Sequence, residues 1–202
     1  MPKKTATLTP TERKQIDAKF SLTPAKLADD LAKKEKPVKK KPMGGRTGPA
    51  MATENWDVPE GKFYPDFPLG KFEGEPFLVW VQPDIFRMEP QPKPFRFIRS
   101  DGEVIEPGKM FTDGGSIPRA LWFVKDLSPW AYAPAFLVHD WLFDCHHAGT
   151  SQKGFEEVRD IMLEGVRTLM ETGVCPANRL TFDLIYAGID SFVARRVWNG
   201  KN

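Results

Sequence analysis

All three histidines of this 202-residue chain fall within nine positions, in the run Phe136-Leu-Val-His139-Asp140-Trp-Leu-Phe-Asp144-Cys-His146-His147. An imidazole gives or takes a proton near neutral pH, and a carboxylate beside it can orient it or bind a cation. Helical spacing puts Asp140, Asp144 and His147 along one stripe and His139, Phe143 and His146 along the next. Nearly every other position is apolar, which predicts a helix buried on most sides. A buried carboxylate is costly unless a hydrogen bond, a cation or a ligand answers its charge. Zinc held by His139, His146 or His147 with Cys145 fits poorly, because the spacing matches neither H-E-x-x-H nor C-x-x-C pairs. His146 and His147 near a helix end suit its dipole instead.

About twenty residues upstream stands Phe111-Thr-Asp113-Gly114-Gly115-Ser116-Ile-Pro118. Asp113 can accept from the amides that follow it, the two glycines permit positive φ, and Ser116 with Pro118 suits a helix start. Gly-Gly beside a carboxylate equally suits close backbone approach to a ligand or metal. A Ser116–His139–Asp113 triad is conceivable, but the segment lacks the second glycine of a nucleophile elbow.

These two motifs, T-D-G-[AG]-S-I-P and H-D-[WY]-L-[YF], resemble those of a domain-of-unknown-function family common in tailed phages and prophages. The resemblance covers roughly residues 68–198 and implies a phage origin; the family brings no established activity with it. Such proteins also carry an Ala-Asp on the next helix, facing the His-Asp pair, where this chain has Arg159-Asp160.

A glycine-containing loop, an H-D pair on a buried helix and a later Asp are also similar to the layout of secreted and parvoviral phospholipases A2. Carried over, that layout implies His139 as general base to a water, Asp140 with the Gly114–Gly115 loop as the site of a divalent cation such as calcium, and Asp160 as the orienting carboxylate. The plainer alternative is a structural knot in which His139 and Asp140 hydrogen-bond the Asp113–Ser116 turn and pin sheet to helices.

The elements that must position these residues follow an order of strands first and helices second, which predicts an α+β fold. Strand signals lie at Pro76–Gln82 and Phe95–Arg99, and Asp101-Gly102 between Arg99 and Val104 predicts a hairpin. Helices are expected over Ile117–Val124, Pro129–His147, Gly154–Glu171 and Ala177–Trp198. Trp122, Trp130 and Tyr132 read as core, and Glu156, Glu157, Glu164 and Glu171 as a solvated face. Two cysteines cannot build a disulfide scaffold, and the near-apolar run Pro129–Val138 is too short to span a bilayer.

A net charge of +2 conceals an asymmetry. Residues 1–46 hold thirteen Lys/Arg against five Asp/Glu, net +8, leaving −6 for the rest, and of the 24 aromatic residues only Phe20 lies in the first fifty. The chain therefore divides into a basic arm and linker, residues 1–50, and a single α+β domain, residues 51–202. Within the arm, Leu8-Thr9-Pro10 and Leu22-Thr23-Pro24 each read as a helix start, the first completed as a capping box by Glu12. Ile16 with Phe20, and Leu27 with Leu31, give each short helix one apolar pair, too little to stand alone and suited to docking on other subunits of a virion. Nucleic acid is a secondary candidate partner, since the arm lacks stacking aromatics. The expectation is a phage virion-associated or assembly protein, made in the host cytoplasm and carried in the particle, with a metal-assisted hydrolase as the alternative.

Overall fold

Thr9 opens the first helix of the computed structural model, which describes residues 8–20, 68–114 and 129–200. The capping box forms: the Glu12 amide donates to Thr9 Oγ1 at 3.2 Å, and the Thr9 amide donates to Glu12 Oε2 at 3.0 Å. These contacts satisfy two of the donors a helix start leaves open, and helix α1 runs Pro10–Phe20. The second helix start, Leu27, Leu31, Gly115, Ser116, Trp122 and the helix expected over 117–124 lie outside the described residues, as do the side chains of Phe20 and Trp130.

Among the described residues six short strands follow: β1 Lys71–Glu73, β2 Phe77–Gln82, β3 Ile85–Glu89, β4 Arg96–Ile98, β5 Val104–Ile105 and β6 Met110–Thr112. They form two antiparallel sheets of three strands, in the orders β1-β4-β5 and β2-β3-β6. The Asp101-Gly102 hairpin is present, with Phe97 opposite Ile105 and Ile98 opposite Val104. Arg99 N–H to Glu103 C=O at 2.8 Å closes it.

From Pro129 onward the described residues are helical: a 3-10 turn, Pro129–Tyr132, then α2 Ala133–His147, α3 Phe155–Glu171, α4 Arg179–Ile189 and α5 Phe192–Trp198. The single helix expected over 177–198 is in fact two. Ser191 takes an extended backbone and its Oγ accepts from the Ala194 amide at 3.2 Å, starting a new helix directly after Asp190 ends the last. The body is thus α+β.

Helix α2 lies between two apolar clusters, as its composition requires. Ala135 and Phe136 face α3 and α4 against Leu163, Val166, Phe182 and Ile185. Leu137, Val138 and Leu142 belong to the second cluster, with Phe97, Ile105 and Met110 of the strands and Val158 and Ile161 of α3. Phe72 of β1 touches both clusters and packs on Phe97 with ring centroids 4.5 Å apart. Each such fully buried ring or branched side chain contributes about 1.5–3 kcal/mol. Tyr132 is fully buried core, as expected.

Glu164 corrects the reading of an exposed acidic face: it is 1% exposed. Its Oε2 accepts from Arg99 Nε at 3.1 Å and its Oε1 from the Ser100 amide at 2.7 Å. The carboxylate is buried because the hairpin turn of the sheet lies over α3 and supplies both donors.

The basic arm does not stand apart from the body over its described residues. Ile16 of α1 is 3% exposed and packs on Ile85 of β3 and Phe111 of β6, with Leu8 and Val81 beside them. Glu12 meets Arg87 at 3.3 Å and Lys109 at 3.2 Å.

Candidate functional site

Strand β6 brings the two sequence motifs together. Its pairing with β3, Phe86 opposite Thr112, carries the fully buried Thr112 side chain onto helix α2. Thr112 Oγ1 donates to Asp140 Oδ2 at 2.7 Å and accepts from the Gly114 amide at 3.0 Å. Gly114 sits at φ +81, the left-handed region that glycine enters without a Cβ penalty. The turn after β6 and the His-Asp helix are therefore joined through one hydroxyl. Sequence reasoning quoted Thr112 inside its motif but gave it no role; its short polar side chain directly after the apolar pair Met110-Phe111 was the available signal. Asp113 is half-buried at the same turn.

His139 is 7% exposed, and its Nδ1 stands 3.9 Å from Asp140 Oδ1, an electrostatic contact longer than a hydrogen bond. Its ring lies against Phe143, centroids 4.5 Å apart, as the i,i+4 stripe predicts. Burial pushes the Asp140 carboxyl up, but His139, the Lys19 ammonium and the Thr112 hydroxyl outweigh it and leave the group below its ordinary value.

Lys19, on α1, is the member no local sequence signal announces. Its Nζ donates to Asp144 Oδ2 at 2.7 Å and to the Phe111 carbonyl. Burial nevertheless raises the Asp144 carboxyl, with the Asp140 charge one helical turn away acting in the same sense against Lys19. Two neighbouring carboxylates are thus driven in opposite directions.

Asp160 is not part of this centre. Its carboxylate engages Arg159, 2.7 Å from Nη2, and Arg159 reaches on to Asp190 at 3.1 Å. The cause lies in helix phase. Val158, Ile161 and Met162 take the fully buried face of α3, which leaves Asp160 on the flank with its side chain 45% exposed. The orienting role expected of Asp160 toward His139 is corrected accordingly.

His146 and His147 serve the C-terminal helix. His146 stacks on Trp198 at 3.6 Å between centroids, and His147 Nε2 lies 3.1 Å from the Val197 carbonyl. Burial, then the charge of His147, lowers the His146 pKa.

Among the described residues the donor set around Asp140 is not that of a hard divalent cation. Such an ion needs several converging oxygens, whereas Asp140 is engaged by Thr112 and His139, and Asp144 by an ammonium. Among the described residues no group of three or more His, Cys, Asp or Glu could hold a metal ion. No described helix is long and apolar enough to cross a membrane.

Comparison with curated proteins gives no match, and comparison with solved structures gives none either. A family model does match. It covers residues 92–182, from the approach to β4 into α4, and so takes in Thr112, His139 and Asp140 and leaves α1 outside. Over that segment the chain is similar to the family described as protein of unknown function, DUF1353.

Proposed function

We propose that this chain is a structural or assembly component of a phage particle, that its His-Asp centre is an internal clasp, and that its basic N-terminal segment engages neighbouring subunits. The observation that carries the clasp reading is the answering of the Asp140 charge from within: Thr112 of β6 at 2.7 Å, His139 of α2 beside it, and Lys19 of α1 acting across Asp144. Three segments far apart in sequence meet on one helix turn. A satisfied polar network of this kind specifies how elements pack. The phage setting rests on the two motifs read in the sequence.

Mass spectrometry of purified particles and assembly intermediates from an infected host tests the setting, and absence of the chain from both refutes it. His139→Gln tests the clasp. A clasp variant loses infectivity only in step with a lowered unfolding midpoint.

A second reading, a hydrolase with His139 as general base, is favoured by one feature: the adjacent Asp140 and Asp144 carboxyls are displaced in opposite directions, the pattern that separates acid from base in a reactive site. An undiminished midpoint with infectivity abolished by His139→Gln decides for that reading.

A further inference from the structure

The seat of α1 has features that its intramolecular occupant does not require. Ile16, Ile85 and Phe111 form a cluster of their own, and neither of the two larger clusters contains a residue of α1. Lifting the helix away leaves both cores whole. The seat is also polarised. Arg87 and Lys109 receive Glu12 at the helix start, while Asp144 and the Phe111 carbonyl receive Lys19 near its end. Reversing the helix would set like charges against each other at both ends, so the seat accepts one direction only.

An eleven-residue helix is marginal in water by itself and depends on its seat for order. Nothing in these contacts depends on which chain supplies the helix. Forty-seven residues lie between Phe20 and Pro68, the next described position. At about 3.3 Å per residue they reach up to roughly 150 Å, several times the radius of a body this size. Chain length therefore does not confine α1 to its own body.

We propose that the Ile85–Phe111 seat, with Arg87, Lys109 and Asp144 around it, is a helix-exchange site that takes α1 from a second copy of this chain when copies are crowded together. The proposal deepens the assembly reading, on which it rests for its setting, and names the partner: another copy, linked by a traded helix.

The test uses the full chain, first without substitution and then as the Ile16→Asp variant. Equal amounts of isotopically light and heavy protein are unfolded together, refolded together at about 0.01–1 mM, and treated with a zero-length carbodiimide. That reagent joins an amine to a carboxylate already in contact, here Lys19 to Asp144 and Lys109 to Glu12. A helix held by its own body yields only light–light and heavy–heavy peptides, whereas a traded helix also yields mixed ones.

A tethered segment has an effective concentration of the order of millimolar. Near 1 mM about half the docking is therefore expected between chains and roughly a quarter of the crosslinked peptide mixed, falling toward zero on dilution. Only same-isotope peptides at every concentration overturn the exchange. Absence of both crosslinks overturns the docked helix itself, and mixed peptide that survives Ile16→Asp marks mere collision and overturns it too. Because particle composition is measured separately, a chain found in particles that never trades its helix leaves the assembly reading standing and this proposal refuted.

Discussion

Asp140→Asn keeps the shape of the clasp and removes its charge. In the native protein Asp140 Oδ2 accepts the Thr112 hydroxyl at 2.7 Å inside the core. A hydrogen bond to a charged acceptor is worth about 1.5–3 kcal/mol, against about 0.5–1.5 for a neutral one. An Asn side chain still accepts from Thr112, so roughly 1 kcal/mol is lost there. Lys19 and His139 also lose a nearby anion. Removing the charge relieves its burial, but the carboxyl lies below its ordinary value, so its surroundings favour the ionised form even after burial is counted. The net loss at neutral pH is about 1–2 kcal/mol.

The sign with pH follows. A carboxyl depressed in the folded state stabilises fully above its unfolded value, near 3.9, and that stability drains away as pH falls through the folded value. Asp144, raised by burial, acts oppositely: its contribution is full below the unfolded value and lost as pH rises through its folded one. Urea unfolding of the wild type and the Asp140→Asn variant is the assay. With a slope of about 1–3 kcal/mol per molar, the midpoint should drop by roughly 0.3–2 M at pH 7, and the two curves should converge once the pH has fallen through the folded value of Asp140. An equal loss at pH 7 and below that value, or none at pH 7, refutes the clasp reasoning.

Glu164→Gln strands part of the Arg99 charge in the core; because Arg99 keeps Glu103 at 2.9 Å, the loss should fall near 2–3 kcal/mol, read as a lowered thermal midpoint. Gly74→Ala should cost more than about 2 kcal/mol, since Gly74 holds φ +75 and a Cβ there would stand 2.2 Å from the Pro94 carbonyl oxygen, while Gly102→Ala, at φ +89 with open space around it, should cost about 1 kcal/mol. Burial pushes the Cys175 thiol up to about 11, so at pH 8 iodoacetamide should alkylate it roughly 100-fold more slowly than an ordinary exposed thiol, and comparable rates in the folded protein contradict its placement.

Local chemistry carried most of what was legible in the sequence. The Thr9–Glu12 capping box, the Asp101-Gly102 hairpin and the apolar α2 each follow from residues within a few positions of one another, and each is where the spacing put it. The two motifs were visible as separate signals. Their junction at Thr112 and Asp140 was not, because it joins residues 28 apart in sequence through strand pairing. Lys19 reaches Asp144 across 125 positions, a contact that no periodicity encodes. Glu164 misled because its i,i+7 partners Glu157 and Glu171 look solvated. Ile161 and Thr168, three before and four after, share its stripe and are buried, and they were the better guide. The break at Ser191 was missed because apolar spacing continues through it and only the cap reveals it.

The Ser100 amide gives the hairpin turn an unusual kind of timekeeping. Amides in exposed turns commonly trade their hydrogens with water as the turn frays, long before the rest of a protein opens. This one donates at 2.7 Å to a carboxylate buried on α3, 64 residues further along the chain. Its hydrogen is released only when the sheet lifts from the helix. The exchange rate of that one surface amide is therefore a clock for the parting of the two halves, and it binds a local turn to the cooperativity of the whole body.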